Sequence, residues 1–141
     1  MTISARVHYA CLAMIELAIR QDDPSPVAIR EISDRHGVPG PFLVQIFRTL
    51  RTRGWVQSVR GSQGGYRLSV DATKVTLLDI AEAVGCQEVG GRGEANPSGA
   101  DKLLQGFWDQ AAAASRRVLA RARLSDLVER CRHGDEAMFY I

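Results

Sequence analysis

The chain has 141 residues, with 18 lysine and arginine side chains against 16 aspartate and glutamate side chains, so its formal net charge is only +2. Its hydrophobic fraction of 45% and charged fraction of 24% are typical of a folded globular domain and exclude the disordered and collagenous classes. No apolar run reaches the roughly 18 residues needed to cross a bilayer, and the N-terminus lacks the pattern of a secretory leader. We therefore expect a cytoplasmic protein.

The three cysteines, Cys11, Cys86 and Cys131, are far apart in the sequence and never form a C-x-x-C pair. An odd number of scattered cysteines argues against a disulfide framework and against a structural zinc site. The three histidines, His8, His36 and His133, are equally scattered. With no paired carboxylates or nucleophile and base at a recognisable spacing, the sequence predicts a protein that is not an enzyme.

The small net charge conceals an uneven distribution of charge. Residues 35–70 contain no acidic side chain, and their formal charge of +6 leaves −4 for the rest of the chain. A block of arginines with a single sign is typical of phosphate binding, since guanidinium groups contact phosphate in a bidentate manner. The alternative is a solvated surface on which charge clusters by chance. The block contains Arg35, Arg48, Arg51, Arg53, Arg60 and Arg67.

The N-terminal segment predicts two helices. The first follows Ser4 as its N-cap and is apolar on nearly all sides, which indicates burial against its own domain and against a partner subunit. A second, short helix is expected to have Ser25 as its cap and Pro26 in its first turn, and to end at Gly37.

A third helix is predicted from Pro41 to the residue before Gly54. Its apolar residues recur at i, i+3, i+4 and i+7, and its opposite face is polar and basic without a carboxylate. Two short helices joined by a tight glycine-containing turn predict a helix-turn-helix, whose second helix enters the major groove of DNA. The predicted outer face comprises Pro41, Phe42, Gln45, Arg48, Thr49 and Thr52.

Two predicted strands, residues 55–60 and 66–70, flank the loop Gly61-Ser-Gln-Gly-Gly. A hairpin directly after a recognition helix is a wing, and Arg60 is placed to reach a minor groove. A glycine-rich nucleotide-binding loop is the competing interpretation. It is disfavoured because the residues match neither a P-loop nor a dinucleotide-binding fingerprint.

The C-terminal part begins with a short helix predicted by the capping box Thr76 to Asp79 and ended by Gly85. Residues 86–99 are rich in glycine and predict a flexible loop, which we expect to couple an effector to the two halves of the molecule. A long helix is expected from Asp101, followed by a last short helix capped by Ser125 that runs to about Cys131. The expected division is therefore a DNA-binding domain (1–85), the loop (86–99), and a dimerisation helix with a tail (100–141).

The long helix carries its apolar residues on one face and, at about 1.5 Å per residue, spans roughly 30 Å. A helix of this length projects beyond so small a domain, so we assign it to a homodimer interface. Its expected counterpart is the apolar first helix of the partner subunit. The expected interface residues are Leu104, Phe107, Trp108, Ala111 and Val118.

Several segments together resemble the Rrf2 family of bacterial winged-helix regulators. They are Ile3-Ser-Ala-Arg-Val-His-Tyr-Ala-Cys-Leu-Ala-Met, Ile29-Arg-Glu-Ile-Ser-Asp-Arg-His-Gly-Val-Pro, Phe42-Leu-Val-Gln-Ile-Phe-Arg-Thr-Leu-Arg and Val59-Arg-Gly-Ser-Gln-Gly-Gly-Tyr-Arg-Leu. The resemblance implies a dimeric transcription factor, usually a repressor. It also implies DNA contacts from the start of the recognition helix and from the wing arginine, here Pro39, Pro41, Phe42, Gln45 and Arg60.

The chain departs from the cluster-binding members of that family. Those members hold three cysteines in the loop before the dimerisation helix, because thiolates are the ligands that iron–sulfur clusters require. Here that loop contains only Cys86. We expect no cofactor; a cluster or a redox function that uses Cys86, with His8 as a non-cysteine ligand, is the alternative.

The sequence thus predicts a mainly α-helical fold with a small β-hairpin wing, and a homodimeric DNA-binding repressor of palindromic operators. A winged-helix adaptor for a protein partner is the second hypothesis, which the basic segment disfavours. The candidate DNA-binding residues are Pro39, Pro41, Phe42, Gln45, Arg48, Thr49, Arg51, Arg53, Arg60, Ser62, Gln63 and Arg67.

Overall fold

The structure is a computed structural model that describes residues 2–85 and 96–138. In this part of the chain it is mainly helical, with one antiparallel two-stranded hairpin, which confirms the predicted fold class. None of the described helices is both long enough and apolar enough to cross a membrane. The elements are α1 (Ala5–Ile19), α2 (Ile29–His36), α3 (Gly40–Thr52), β1 (Val56–Val59), β2 (Gly65–Leu68), a 3-10 turn (Ala72–Lys74), α4 (Leu77–Ala83), α5 (Gly99–Arg121) and α6 (Leu124–Met138).

Helix α1 lies at the centre of the core and packs against α2, α3, α4 and α6. Its buried side includes Met14 and Leu17, and the ring of Phe47 from α3 stacks on Tyr66 from β2 with centroids 4.2 Å apart. Leu124 of α6 is fully buried in the same core. The C-terminal helix is therefore anchored on the N-terminal helices, while the division of the chain at residues 85 and 99 stays a prediction.

Three predicted helix ends are confirmed: the N-cap of α1, the glycine that ends α2 and the capping box of α4. The Ser4 hydroxyl accepts a hydrogen bond from the Val7 N–H at 3.2 Å and begins α1. Gly37 ends α2 in the left-handed conformation, with φ of 65°. Thr76 and Asp79 form a reciprocal capping box, with distances of 3.1 and 2.9 Å, at the start of α4.

The predicted start of α2 is wrong. The helix begins at Ile29 after Ala28, so Ser25 is not its cap and Pro26 is not in its first turn. Val27 instead forms an isolated antiparallel bridge with Tyr66. The Tyr66 N–H donates to the Val27 carbonyl at 2.8 Å, and the Val27 N–H donates to the Tyr66 carbonyl at 2.9 Å. This pairing with β2 holds Val27 extended, which is incompatible with a helix.

The starts of the two C-terminal helices also differ from the prediction. Helix α5 begins at Gly99, because the Ser98 hydroxyl accepts from the Asp101 N–H at 3.1 Å. Helix α6 begins at Leu124, so Ser125 lies within its first turn, and it continues to Met138 rather than ending near Cys131. The Leu124 N–H donates to the Val75 carbonyl at 2.8 Å, which fixes where α6 starts. Most of the predicted loop, residues 86–95, lies outside the described residues.

We expect the substitution Gly65→Ala to destabilise the fold. A Cβ at Gly65 would overlap the carbonyl oxygen of Val27 across the bridge, and backbone atoms cannot move aside without breaking it. The expected loss is about 1–3 kcal/mol or more of the free energy of unfolding. Gly106→Ala is the matched control: it meets nothing within 4 Å and should stabilise α5 by about 0.8–1 kcal/mol. Urea unfolding of both variants tests the opposite signs.

Candidate nucleic-acid interface

Helix α3 has one buried side and one exposed side, as its periodicity predicts. Leu43, Ile46, Phe47 and Leu50 are buried in the core. On the other side the side chains are exposed, except that Thr49 is half-buried. The exposed candidate residues on this helix are Pro41, Phe42, Gln45, Arg48 and Arg51.

The turn before α3 is held by polar and apolar contacts. The Ser33 hydroxyl donates to the Val38 carbonyl at 2.6 Å, and the Val38 side chain is buried. Pro39 is exposed and occupies the N-cap position of α3. Neither Pro39 nor Pro41 carries an N–H, so their contribution to a DNA contact is limited to carbonyl oxygens and apolar surface.

The hairpin that follows α3 has the geometry of a wing. Strand β1 packs against α3, and Val59 pairs with Gly65 at the end of the ladder. A Cβ at Gly64 would come within 2.5 Å of the Val59 carbonyl oxygen, and Gly61 has φ of 120°. These glycines keep the loop tight and leave its side chains exposed, namely Arg60, Ser62 and Gln63.

Two members of the arginine block lie beside carboxylates, although Arg35 is itself exposed. Arg35 pairs with the carboxylate of Glu16, which is only 3% exposed and also lies 3.4 Å from the ring of His36. Arg67 is half-buried and lies near Asp23. The pKa of Asp23 is lowered, chiefly by the backbone N–H of Ser25 and in smaller part by Arg20 and Arg67. Two of the six arginines therefore have acidic neighbours in the free protein, while the assignment of the basic segment to phosphate stays a prediction.

The other four arginines of the block are exposed, and among the described residues none of these four forms an ion pair. Arg48 and Arg51 lie on α3, and Arg53 follows it with its guanidinium 5.9 Å from the Trp55 ring centroid. Arg60 lies at the start of the wing loop. Exposed guanidinium groups without acidic partners are suited to phosphate oxygens and base edges.

The structure adds two residues to this surface that the sequence reasoning missed. Val44 is 39% exposed on α3, one turn before Arg48; its place outside the buried stripe follows from the periodicity. Arg6 of α1 donates through Nη2 to the Thr49 hydroxyl at 3.3 Å. That contact joins residues 43 positions apart, so no pattern of neighbouring residues in the sequence could have predicted it.

Helix α5 is the second feature of functional interest, because none of its residues is buried. It is joined to α4 by an ion pair of 2.9 Å between Arg116 and Glu82. Trp108 is 53% exposed although it is the largest apolar side chain on the helix. The expected interface residues, Leu104, Phe107, Trp108, Ala111 and Val118, are all exposed.

An apolar groove of about 290 Å³ lies between α1 and the C-terminal helices. His8, Cys11 and Leu12 of α1 contribute to its lining, together with Leu119 of α5. Burial raises the pKa of the Cys11 thiol to about 11, so this thiol is protonated at neutral pH. Within the described ranges no three His, Cys, Asp or Glu side chains come together as metal ligands. Cys86 lies outside the described residues.

We expect the Cys11 thiol to react slowly with iodoacetamide. A thiol with a pKa of about 11 is only about one part in a thousand thiolate near pH 8, and the thiolate is the reactive form. Its alkylation rate should rise about tenfold for each pH unit up to that pKa. The folded protein is labelled and then digested, and mass spectrometry of the peptides gives the alkylation rates of Cys11 and of the exposed Cys131, which is the internal reference. Equal labelling of the two cysteines at neutral pH would contradict the raised pKa of Cys11.

Comparison with known proteins identifies the family to which this combination of helices and wing belongs. The model of the Rrf2 family, described as an iron-dependent transcriptional regulator, matches residues 3–130. The chain belongs to the Rrf2 family. The transcriptional regulator IscR of Cereibacter sphaeroides is 33% identical over 138 residues, which cover 92% of this chain and 88% of that protein.

Solved structures of Rrf2 regulators have the same fold. CymR of B. subtilis, the global cysteine regulator, superposes with a TM-score of 0.74 at 27% identity, covering 92% of this chain and 97% of that one. IscR of T. potens gives a TM-score of 0.75 at 28% identity, covering 93% and 88% of the two chains. As a member of this family the protein is a DNA-binding transcriptional regulator. The described residues do not fit the iron in the Rrf2 description, because they provide no ligand set.

Proposed function

We propose that the protein is a homodimeric repressor that binds a palindromic operator through α3 and the wing. The observation that carries the proposal is the exposed surface on which Arg48, Arg51, Arg53 and Arg60 have no ion-pair partner among the described residues. Such a surface attracts the phosphate backbone. The protein is proposed to act in the cytoplasm, where it has access to DNA, and no catalytic step is assigned to it.

Within this surface the residues divide by the contacts they can make. Gln45 and Arg48 are placed on the exposed side of α3 to hydrogen-bond to base edges in the major groove. Phe42 and Val44 offer apolar contact to thymine methyl groups. Arg51 and Arg53 are assigned to phosphates, and Arg60 with Ser62 and Gln63 to the minor groove. Arg67 is left with a smaller role, because it lies near Asp23.

The proposed dimer places two such surfaces on one duplex. The exposed apolar side of α5 supports it, since a monomer would leave Phe107 and Trp108 in water. A two-fold symmetric dimer reads two half-sites about one helical turn apart, or a multiple of that distance. This symmetry is the reason to expect a palindromic operator.

Selection from a library of random 30-base-pair duplexes tests the proposal. We expect enrichment of a palindromic site, which the protein binds at least about a thousandfold more tightly than a shuffled duplex at the same salt concentration. A transcription assay with that site overlapping a promoter should show less transcript when the protein is added. Absence of any enriched sequence, with no salt-dependent binding to DNA, would favour the adaptor hypothesis instead.

A further inference from the structure

The first turn of α1 lies against the outer side of the recognition helix. Arg6 donates through Nη2 to the Thr49 hydroxyl at 3.3 Å, and Thr49 in turn lies 3.4 Å from the Gln45 carbonyl oxygen. One turn further along α1, the ring of Tyr9 meets the edge of Phe42, with centroids 6.0 Å apart. Helix α1 therefore contacts α3 at two points along the surface assigned to DNA.

The guanidinium of Arg6 has more donors than partners. An arginine carries five N–H donors, and the hydrogen bond to Thr49 is the one made by this side chain among the described residues. Its Nε is buried without a hydrogen-bond partner. In the same part of the chain no ion pair includes Arg6. The buried Nε is out of reach of a ligand. Nη1 is not among the buried unpaired atoms and makes no hydrogen bond to the described residues, so its donors are the ones that a ligand can satisfy.

The position of Arg6 determines what can satisfy it. Thr49 lies one turn after Gln45 on the same side of α3, so a duplex that contacts Gln45 passes beside the Arg6 side chain. The residues before it, including Ser4 and Ala5, are exposed and leave this side of α1 open. A phosphate oxygen is the acceptor that a duplex presents at the edge of its groove, and guanidinium matches it in charge and geometry.

We propose that Arg6 is a further DNA-contacting residue, which binds a backbone phosphate next to the recognition helix while it holds the Thr49 hydroxyl. The inference rests on the proposed function, because it requires DNA to lie on α3. It extends the interface to a residue outside both the helix-turn-helix and the wing. Through Arg6, α1 would then contact both the phosphate and the recognition helix α3 and fix their relative positions.

The test is the salt dependence of binding to a fixed 30-base-pair duplex of mixed sequence, followed by fluorescence anisotropy. Each phosphate neutralised contributes about 0.9 to the slope of log K against log salt concentration. Arg6→Ala should reduce that slope by about 0.9 for each subunit that touches the duplex. It should also weaken binding at low salt by roughly tenfold. Arg6→Lys should keep the slope, because the charge remains.

Two other variants separate a phosphate contact from a purely structural role. Thr49→Val removes the hydrogen bond to Arg6 without removing a charge, so its slope should equal that of the unmodified protein even if its affinity falls. Arg117→Ala, which removes an exposed arginine of α5, should change neither slope nor affinity. Thermal unfolding followed by circular dichroism confirms that each variant is folded, and Arg6→Gln replaces Arg6→Ala if the latter is not.

The outcomes distinguish this inference from the proposed function. If Arg48→Ala lowers the slope and Arg6→Ala does not, the Arg6 contact is overturned and the proposed function stands. If Arg6→Ala and Thr49→Val weaken binding equally with unchanged slopes, Arg6 acts only by holding Thr49, which also overturns the phosphate contact. If the unmodified protein itself shows no salt-dependent binding, the proposed function fails first.

Discussion

Replacing Trp108 by aspartate is expected to convert the protein to a monomer and to abolish tight binding to a palindromic site. In α5 this ring is 53% exposed, and Leu104, one turn earlier on the same side of the helix, is 49% exposed. A two-fold interface contains each residue twice, so the change places two carboxylates in one apolar contact. A buried aromatic anchor is worth about 2 kcal/mol or more per copy, which weakens dimerisation at least about a thousandfold.

Sedimentation equilibrium measures the monomer–dimer dissociation constant. Fluorescence anisotropy with duplexes that contain one or two half-sites measures how the loss of the dimer changes the affinity for DNA. The Trp108→Asp monomer should bind one half-site nearly as well as the unmodified protein does, and should gain little from the second. Ala113→Asp is the matched control, because it adds the same charge on the side of α5 opposite Trp108 and at least about 120° around the helix from Phe107. A Trp108→Asp protein that is still a dimer at micromolar concentration would show that the interface lies elsewhere.

The parts of the fold that could be predicted from the sequence are those decided by neighbours along the chain. The buried stripe of α3 follows from apolar residues at helical spacing, and the capping box of α4 from Thr76 and Asp79. Gly37 ends α2 because an αL residue at a helix C-terminus favours glycine. The wing follows from alternation in the strands and from glycines in the loop.

The parts that could not be predicted depend on contacts between distant segments. Ser25 and Pro26 have the residue types of a helix start. The bridge between Val27 and Tyr66 on β2 nevertheless makes Val27 extended. Arg35 and Arg67 count toward the basic segment in the sequence, while in the structure they lie beside carboxylates from α1 and the loop after it. Net charge along a segment therefore overestimates the charge on a surface, because ion pairs form with residues outside the segment.

Replacing Arg60 by alanine is expected to weaken operator binding by about 1–3 kcal/mol and non-specific binding by less. The side chain is exposed at the start of a loop that Gly61, with φ of 120°, and Gly64 keep tight. A guanidinium inserted in a minor groove gains most where the groove is narrow, as in A·T-rich sequence. The substitution should therefore remove a preference for sequence as well as affinity.

Anisotropy with operator variants separates these two effects. At the base pairs beneath the wing, A·T is replaced by G·C, which adds an amino group to the minor groove, or by inosine·cytosine, which does not. The unmodified protein should bind the A·T and inosine·cytosine sites alike and the G·C site more weakly, whereas Arg60→Ala should bind all three alike. Arg117→Ala, which changes an arginine away from α3 and the wing, should retain the preference. If Arg60→Ala also retains it, the wing arginine contacts phosphate only, and the preference arises from the major-groove contacts of α3.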